Sequence, residues 1–403
     1  MNSRLTYLFL FTLLLCGGTA VAASDSPSKA ALFFCRIGKW VDDFNLRGLD
    51  TTYITLPEHS WRVALNNGEV GINSTYTTWL DPSTPVMLHM QTTPSLGLGF
   101  NVGYRSLGGG YSWDLLNSYT TNWNISMGSK MIGLEFVRNV STNLTGNFHI
   151  DDRYDQYLPK LNKGDLRMSY TSLSAWYALN SEHYSHQAAI KQSYIQKRSA
   201  GSILLSLSYM HTQMALQDTF TFHGVPILAI IMDSVKSITT HQVAVGLGYG
   251  INYTPNKGKV LLHAAANLQL VCYSINQLTL ALDSSIVALL PGEARFNIHP
   301  QYPVHVTGNV RAAVSWEINR WVHLSAWAQA NNIRFRSKET ELTEVIMRNW
   351  NWQVHLNLGV RFGAGRQRVL KALEDLPPLS PSQPIRTSKL PQWIIDYFYS
   401  PSL

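Results

Sequence analysis

The chain of 403 residues is short of charge: Asp, Glu, Lys and Arg make up 14% of it, where an average soluble domain carries about 25%. It also lacks long hydrophobic runs. Past the N-terminus no stretch of about 18 apolar residues exists, which excludes a polytopic helical membrane protein. Cysteine is scarce, three in all, so there is no disulfide framework. The paired Cys and His spacings of a zinc site are missing as well. Disorder is excluded by what is abundant, because aromatic residues reach 11% and disordered chains are poor in them. The missing charge is replaced by Ser, Thr, Asn, Gln, Tyr and Gly, and mean hydropathy stays at −0.07. Length leaves room for two or three soluble domains or one large all-β unit.

Residues 1–23 read as a secretory signal. Arg4 is the basic start, Leu5 to Cys16 the apolar stretch, and Ala20-Val21-Ala22 the cleavage site. Lipidation at Cys16 is the weaker reading, since bulky Leu15 stands where a small residue is expected. After cleavage Cys35 and Cys272 remain. The formal net charge of +7 falls by one with Arg4. That mild basicity suits anionic lipid or polysaccharide, and it points to no nucleic-acid partner.

The strongest pattern has period two. His241, Val243, Val245, Leu247, Tyr249, Ile251 and Tyr253 share one face; Gln242, Ala244, Gly246, Gly248, Gly250 and Asn252 share the other. The contrast recurs at 96–105, 304–318 and 350–362. Softer versions lie at 107–116, 121–127, 131–138, 168–179, 184–194, 203–213, 260–273 and 321–335. Segments 61–66 and 70–79 are two further candidates. Many of these runs are 10 to 14 residues long, where a globular strand averages about 5–6 and a transmembrane strand needs about 9–11. Charges keep to the polar set: Arg105, Asp114, Glu135, Lys191, Arg311, Glu317 and Arg361. Tyr104, Trp113, Trp176, Trp316, Trp321, Trp350 and Trp352 cluster at strand ends, as interfacial girdles require. Short polar turns are expected near Gly108–Gly110 and at 180–182, 255–258 and 317–320, alternating with long connections at 139–167, 216–239, 274–303 and 336–349.

Residues 24–50 contain an amphipathic helix, with Leu32, Phe33, Ile37, Trp40, Val41 and Phe44 at helical spacing. It is expected to close one barrel end. Residues 364–403 form a Pro-rich tail ending in an aromatic patch at 392–399. This tail is expected to be periplasmic and is a candidate partner-docking segment. So is the 216–239 connection, whose run 225–232 is unusually apolar.

Several blocks carry a family likeness. Leu49-Asp50-Thr51-Thr52-Tyr53-Ile54 with Pro57 and Trp61 is one, and Pro94-Ser95-Leu96-Gly97-Leu98-Gly99 running into Gly103-Tyr104-Arg105 is another. Tyr184-Ser185 with Gln192 and Gln196-Lys197-Arg198-Ser199-Ala200-Gly201-Ser202 is the most specific. Val245-Gly246-Leu247-Gly248-Tyr249 and Gly359-Val360-Arg361-Phe362 complete the set. Over residues 45 to 363 the chain resembles a family of exported Bacteroidota proteins labelled only as a domain of unknown function. The resemblance implies an outer-membrane β-barrel and no activity. It also implies handling by the barrel assembly machinery, which reads a terminal aromatic. Here Phe362 is followed by the tail, so the signal would be internal, at 353–362.

Catalytic constellations are thin. Gly97–Gly103 has no following helix or Lys-Ser/Thr to make a nucleotide loop. His183 and His186 lack a carboxylate pair for a metal. His149, Asp151 and Asp152 sit on a loop without partners. His323 and Ser325 share one strand face, as a base and nucleophile would, and outer-membrane lipid hydrolases use such pairs; no orienting acid is evident. The mixed lumen charges suit a salt-bridged seal better than a selective pore.

The expectation is an all-β fold: an antiparallel, up-and-down transmembrane barrel of about twelve strands (range 10 to 14) at residues 51–363, located in the outer membrane. Its surroundings are lipid and lipopolysaccharide. No cofactor, metal or enzymatic activity is expected. The leading function is a structural or small-solute channel protein; a lipid-acting enzyme and a partner-docking barrel are the alternatives.

Overall fold

The alternation pairs into one sheet. The structure, a computed structural model, describes residues 49–81, 84–93, 96–115, 120–150, 158, 160–217, 235–256, 258–282, 292–301, 304–336 and 345–365. In chain order the strands are β1 (Ile54–Thr55), β2 (His59–Asp81), β3 (Thr84–Thr92), β4 (Gly97–Tyr104), β5 (Leu107–Asp114), β6 (Thr120–Gly128), β7 (Ile132–Ser141), β8 (Leu144–His149) and β9 (Lys160–Leu161). Then come β10 (Leu166–Ala178), helix α1 (His186–Ile190), β11 (Ile195–Gln196), β12 (Ala200–Leu216), β13 (Val235–Tyr253), β14 (Val260–Leu282), β15 (Gly292–Ile298), β16 (His305–Glu317), β17 (Val322–Arg336) and β18 (Val345–Gly365).

Twelve of these strands form a closed antiparallel ring: β2, β4, β5, β6, β7, β10, β12, β13, β14, β16, β17 and β18. The seam is the long register between β18 and β2, which runs from Val345↔Thr78 to Phe362↔Trp61. Fourteen candidate segments become twelve strands through two differences. Segments 61–66 and 70–79 are one strand, β2, of 23 residues. Segment 184–194 is no strand; it folds as a short helix and turns inside the ring. The signal at 1–23, the helix at 30–45, Cys35, the run at 225–232 and the tail beyond residue 365 lie outside the described residues.

The ring is uneven in height. Strands β4 to β7 have 8 to 10 residues, whereas β12, β13, β14 and β18 have 17 to 23. Above the low wall, the upper part of β2 pairs with β3, then β8, then β9. On the other side β15 pairs with the upper part of β14. Sequence periodicity missed β8, β9 and β15 because they have only 2 to 7 residues, and β3 because Val86, Met87 and Leu88 put apolar residues on both of its faces. The tight connection between β4 and β5 is Arg105–Ser106, and Gly108–Gly110 lies within β5. Gly110 belongs there because a β-carbon would collide with the Asn101 side chain across the pair.

Alternation sorts the side chains. Leu65, Ile125, Leu134, Leu173, Leu205, Leu207, Val245, Leu247, Leu268, Val310, Leu356 and Leu358 all face outward and are exposed. Aromatic rings border this apolar band. At the short-turn end Tyr104 lies 4.7 Å from Trp61, which stacks on Phe362. At the long-connection end Tyr111 packs 4.5 Å from Trp123, and Trp350 is exposed. Along β18, ten residues separate Trp352 from Phe362. At about 3.3 Å per residue and a tilt of about 40° this is roughly 25 Å of apolar wall. Two charged side chains face outward near its upper edge, Glu69 beside Val354 and Arg138 beside Trp123.

Side chains of the described residues pack into much of the interior. At the long-connection end an apolar cluster joins the flap formed by β3, β8 and β9 to the tall wall: Leu88 and Met90, Leu144 and Phe148, Met168 and Tyr170, Met210 and Met214, Ile333, Phe335 and Met347.

Ring closure has a direct test. Leu65→Cys with Leu358→Cys, register partners across the seam, is expected to cross-link on oxidation in a background without native cysteines. Leu65→Cys with Val354→Cys, four residues out of register, is expected not to. Non-reducing gel mobility reads both.

Candidate functional site

The site is built on residues 179–199, which leave β10 and re-enter the sheet at β12. The chain turns at Asn180, whose N–H donates to Ser202 Oγ (2.9 Å) and whose Nδ2 donates to the Gly201 carbonyl (2.9 Å). Tyr184 to Ile190 are then buried, including every residue of α1. Two wall-and-insert amides replace the missing ladder. Asn252 Nδ2 donates to the Ser185 carbonyl (2.8 Å) and to Gln196 Oε1 (3.0 Å). Gln196 Oε1 also accepts the Ser185 N–H (3.1 Å), while its Nε2 donates to the His183 and Arg198 carbonyls. These bonds explain why an alternating stretch is not a strand: buried backbone groups must be paired, and side-chain amides do so here.

Glycine makes the room. A β-carbon at Gly250 would collide with the Tyr184 hydroxyl, and one at Gly128 with the Gln187 amide. The small inward face seen in β13 is thus the socket of the insert. Beneath it, β1 pairs with β11 (Ile54↔Gln196), and Lys197 Nζ donates to the Thr51 carbonyl at 3.1 Å. Asp50 accepts the Thr52 N–H at 2.8 Å, and its hydrogen bonds to Thr52 hold its carboxyl below the usual range. His183 lies 3.5 Å from it. His186 on α1 meets Trp176 edge-on at 4.7 Å and the Tyr184 hydroxyl at 3.1 Å.

Two charged groups grip the insert. Glu135 on β7 receives Arg311 of β16 at 2.8 Å and Lys191 of the insert at 3.1 Å. Glu317 receives Arg361 through both oxygens, one at 2.7 Å. Arg361 Nη2 also donates to the Gln192 carbonyl of the insert (3.4 Å). Arg311 additionally bonds Gln329.

Five of the seven expected lumen charges therefore fall into these two groups. Lys191 is on the insert and not on a wall strand, because 184–194 folds inward. Arg105 sits on the β4–β5 turn, 5.3 Å from the Tyr104 ring, and Asp114 is buried at the far end of β5. No single site holds all seven. Among the aromatics, Trp316, Trp321 and Trp350 are exposed, and Tyr104, Trp113 and Trp352 face outward half-buried. Trp176 does not join them. Its parity with Ser172 and Ala178 turns it inward, onto His186 and over Gly133. Trp61 and Phe362 of the short-turn belt were missed, although each borders an alternating run.

His323 and Ser325 are both buried and inward, but they form no catalytic pair. Neither ring nitrogen of His323 has a hydrogen-bond partner among the described residues, and Ser325 Oγ accepts from Asn357 at 3.4 Å. Among the described residues no group of three His, Cys, Asp or Glu could hold a metal. His149 is on β8, while Asp151 and Asp152 lie outside the described residues. Cys272 is a free, exposed thiol.

Residues 48–362 match a family described as a domain of unknown function, DUF4421. The chain belongs to this family. The DUF4421 match spans ring and insert alike, from just before Leu49 to Phe362 at the end of the seam. No curated protein matches the chain. Among solved structures the chain is similar to the outer-membrane protease OmpT of Escherichia coli, at 8% identity and TM-score 0.37, covering 76% of this chain and 98% of that one. It is similar to the translocator domain of the autotransporter NalP of Neisseria meningitidis, at 12% identity and TM-score 0.31, covering 83% and 97%. It is also similar to the outer-membrane protein OprG of Pseudomonas aeruginosa, at 10% identity and TM-score 0.26, covering 77% and 100%.

Removing Glu135 would leave two cations inside the ring without their carboxylate. Glu135→Ala is expected to lose about 3–5 kcal/mol of stability. Adding Lys191→Met and Arg311→Met should restore most of it. Urea unfolding of the detergent-folded protein measures both, and equal stability of Glu135→Ala and wild type would refute the assignment.

Proposed function

We propose that this DUF4421 protein is an exported outer-membrane barrel whose lumen is sealed at rest, a structural element of the membrane and not an open pore. The observation that carries the reading is the insert at 179–199, seated within the ring and tied to the wall by the Glu135 and Glu317 groups. The apolar cluster at the opposite end supports it, since packed apolar side chains disfavour water there. The outward apolar band, bordered by aromatic rings, supports the membrane setting. Lipid and lipopolysaccharide are then its outer contacts, and the barrel assembly machinery its route of insertion. Solute passage would require the insert to leave its socket, which means breaking both charged groups.

Planar-bilayer recording tests the seal. Wild type is expected to show no steady conductance. Replacing 186–193 by a Gly-Ser linker should produce open events or raise their frequency. Steady wild-type conductance would sink the sealed reading. The membrane setting has a separate check: Leu247→Arg, in the middle of the outward band, should cost about 2–4 kcal/mol in vesicle folding assays. A heat-insensitive, soluble wild-type protein would overturn it.

A further inference from the structure

Among the described residues where the insert meets the wall, cations outnumber carboxylates. Arg62, Arg361, Arg311 and Lys191 are four cations, and Glu135 and Glu317 are the carboxylates they face. Arg361 commits its guanidinium to Glu317, and Glu135 is shared by Lys191 and Arg311. Arg62 is the register partner of Arg361 and makes no hydrogen bond or ion pair with the described residues. Its guanidinium is held over β4, where a β-carbon on Gly103 would strike Nη2.

Arg62 and Lys191 line one cavity of about 30 Å³ between the insert and the low wall. Asn66, Asn101, Asn124 and Asn357 line it too. The last three form a chain: Asn124 Nδ2 donates to Asn101 Oδ1 (3.4 Å), and Asn101 Nδ2 to Asn357 Oδ1 (3.2 Å). An amide nitrogen carries two N–H donors; Asn124 and Asn101 each use one within the chain, and Asn357 uses one on Ser325 Oγ. The cavity therefore presents a guanidinium fork, an ammonium and spare amide donors, with no carboxylate among its lining residues. A fork of this kind matches the oxygens of an oxyanion. The volume is that of about two waters, which favours a small free ion over a group on a large molecule.

We propose that this cavity is a binding site for a small oxyanion, with Arg62 of the wall and Lys191 of the insert as its two charged contacts. The bound ion offsets the positive excess and bridges insert to wall.

Isothermal titration of the full-length protein in detergent, with sodium phosphate and sodium acetate against sodium chloride at equal ionic strength, tests the site. Phosphate or acetate is expected to bind saturably, one per chain, and chloride not to. Phosphate separates a tetrahedral from a planar preference, and glycerol 3-phosphate reports whether a larger phosphomonoester is admitted. Arg62→Gln should weaken binding at least tenfold. Asn101→Asp, which leaves Arg62 in place and adds a repelling carboxylate, should do the same if Arg62→Gln fails to fold. Heat-modifiable gel migration confirms folding of each. No oxyanion binding above chloride by the wild type, or unchanged affinity in the folded variants, would overturn the proposal.

Discussion

Closure of the seam between β2 and β18 is the constraint on which everything else rests. A sheet with free edges leaves rows of unpaired N–H and C=O groups, and an apolar outer face would make those edges costlier still. Eighteen consecutive register pairs across the seam, from Val345↔Thr78 to Phe362↔Trp61, remove that liability. Once the ring is closed, each side chain has only two destinations. Outward positions carry Leu, Val, Ile and aromatic residues. Inward positions carry Ser, Thr, Asn, Gln, Gly and charged residues at the short-turn end, and Met, Ile and aromatic residues at the other.

A ring of twelve strands encloses space that must be filled by something. This chain fills it differently at its two ends. At the long-connection end the wall turns apolar inside, and methionines and aromatics from the flap and tall strands pack together. At the short-turn end a polar segment folds in, anchored by Asn252, Gln196 and two charged groups. The polar seal is reversible in principle, because its contacts can be exchanged for water. The apolar one is not so readily exchanged. The cost of charge inside the ring explains the pairing of Glu135 and Glu317, and the surplus of cations explains why an anion has a place there.

Much of this was legible as pattern. Period two marked the strands, and the contrast of β13, with Val, Leu and Tyr against Gly and Gln, named its two faces correctly. The failures have a common cause. Residues 184–194 alternate but are not a strand, since the Ser185 backbone is paired by the side-chain amides of Asn252 and Gln196. Trp176 reads as a strand-end aromatic, yet parity within β10 turns it to the lumen. Lys191 reads as a wall charge, yet the fold carries it on the insert to a carboxylate on β7.

The sequence by itself determined the class of architecture, because alternation is a local property and each long strand states its own two faces. It marked seven candidate lumen charges but not Arg62, which the fold also turns inward. Only the tertiary structure decided who meets whom: Glu135 with Lys191 and Arg311, Arg361 with Glu317, Tyr184 with its glycine socket. Those partners are tens to hundreds of residues apart in the chain, and strand register together with the inward fold of one connection brings them together.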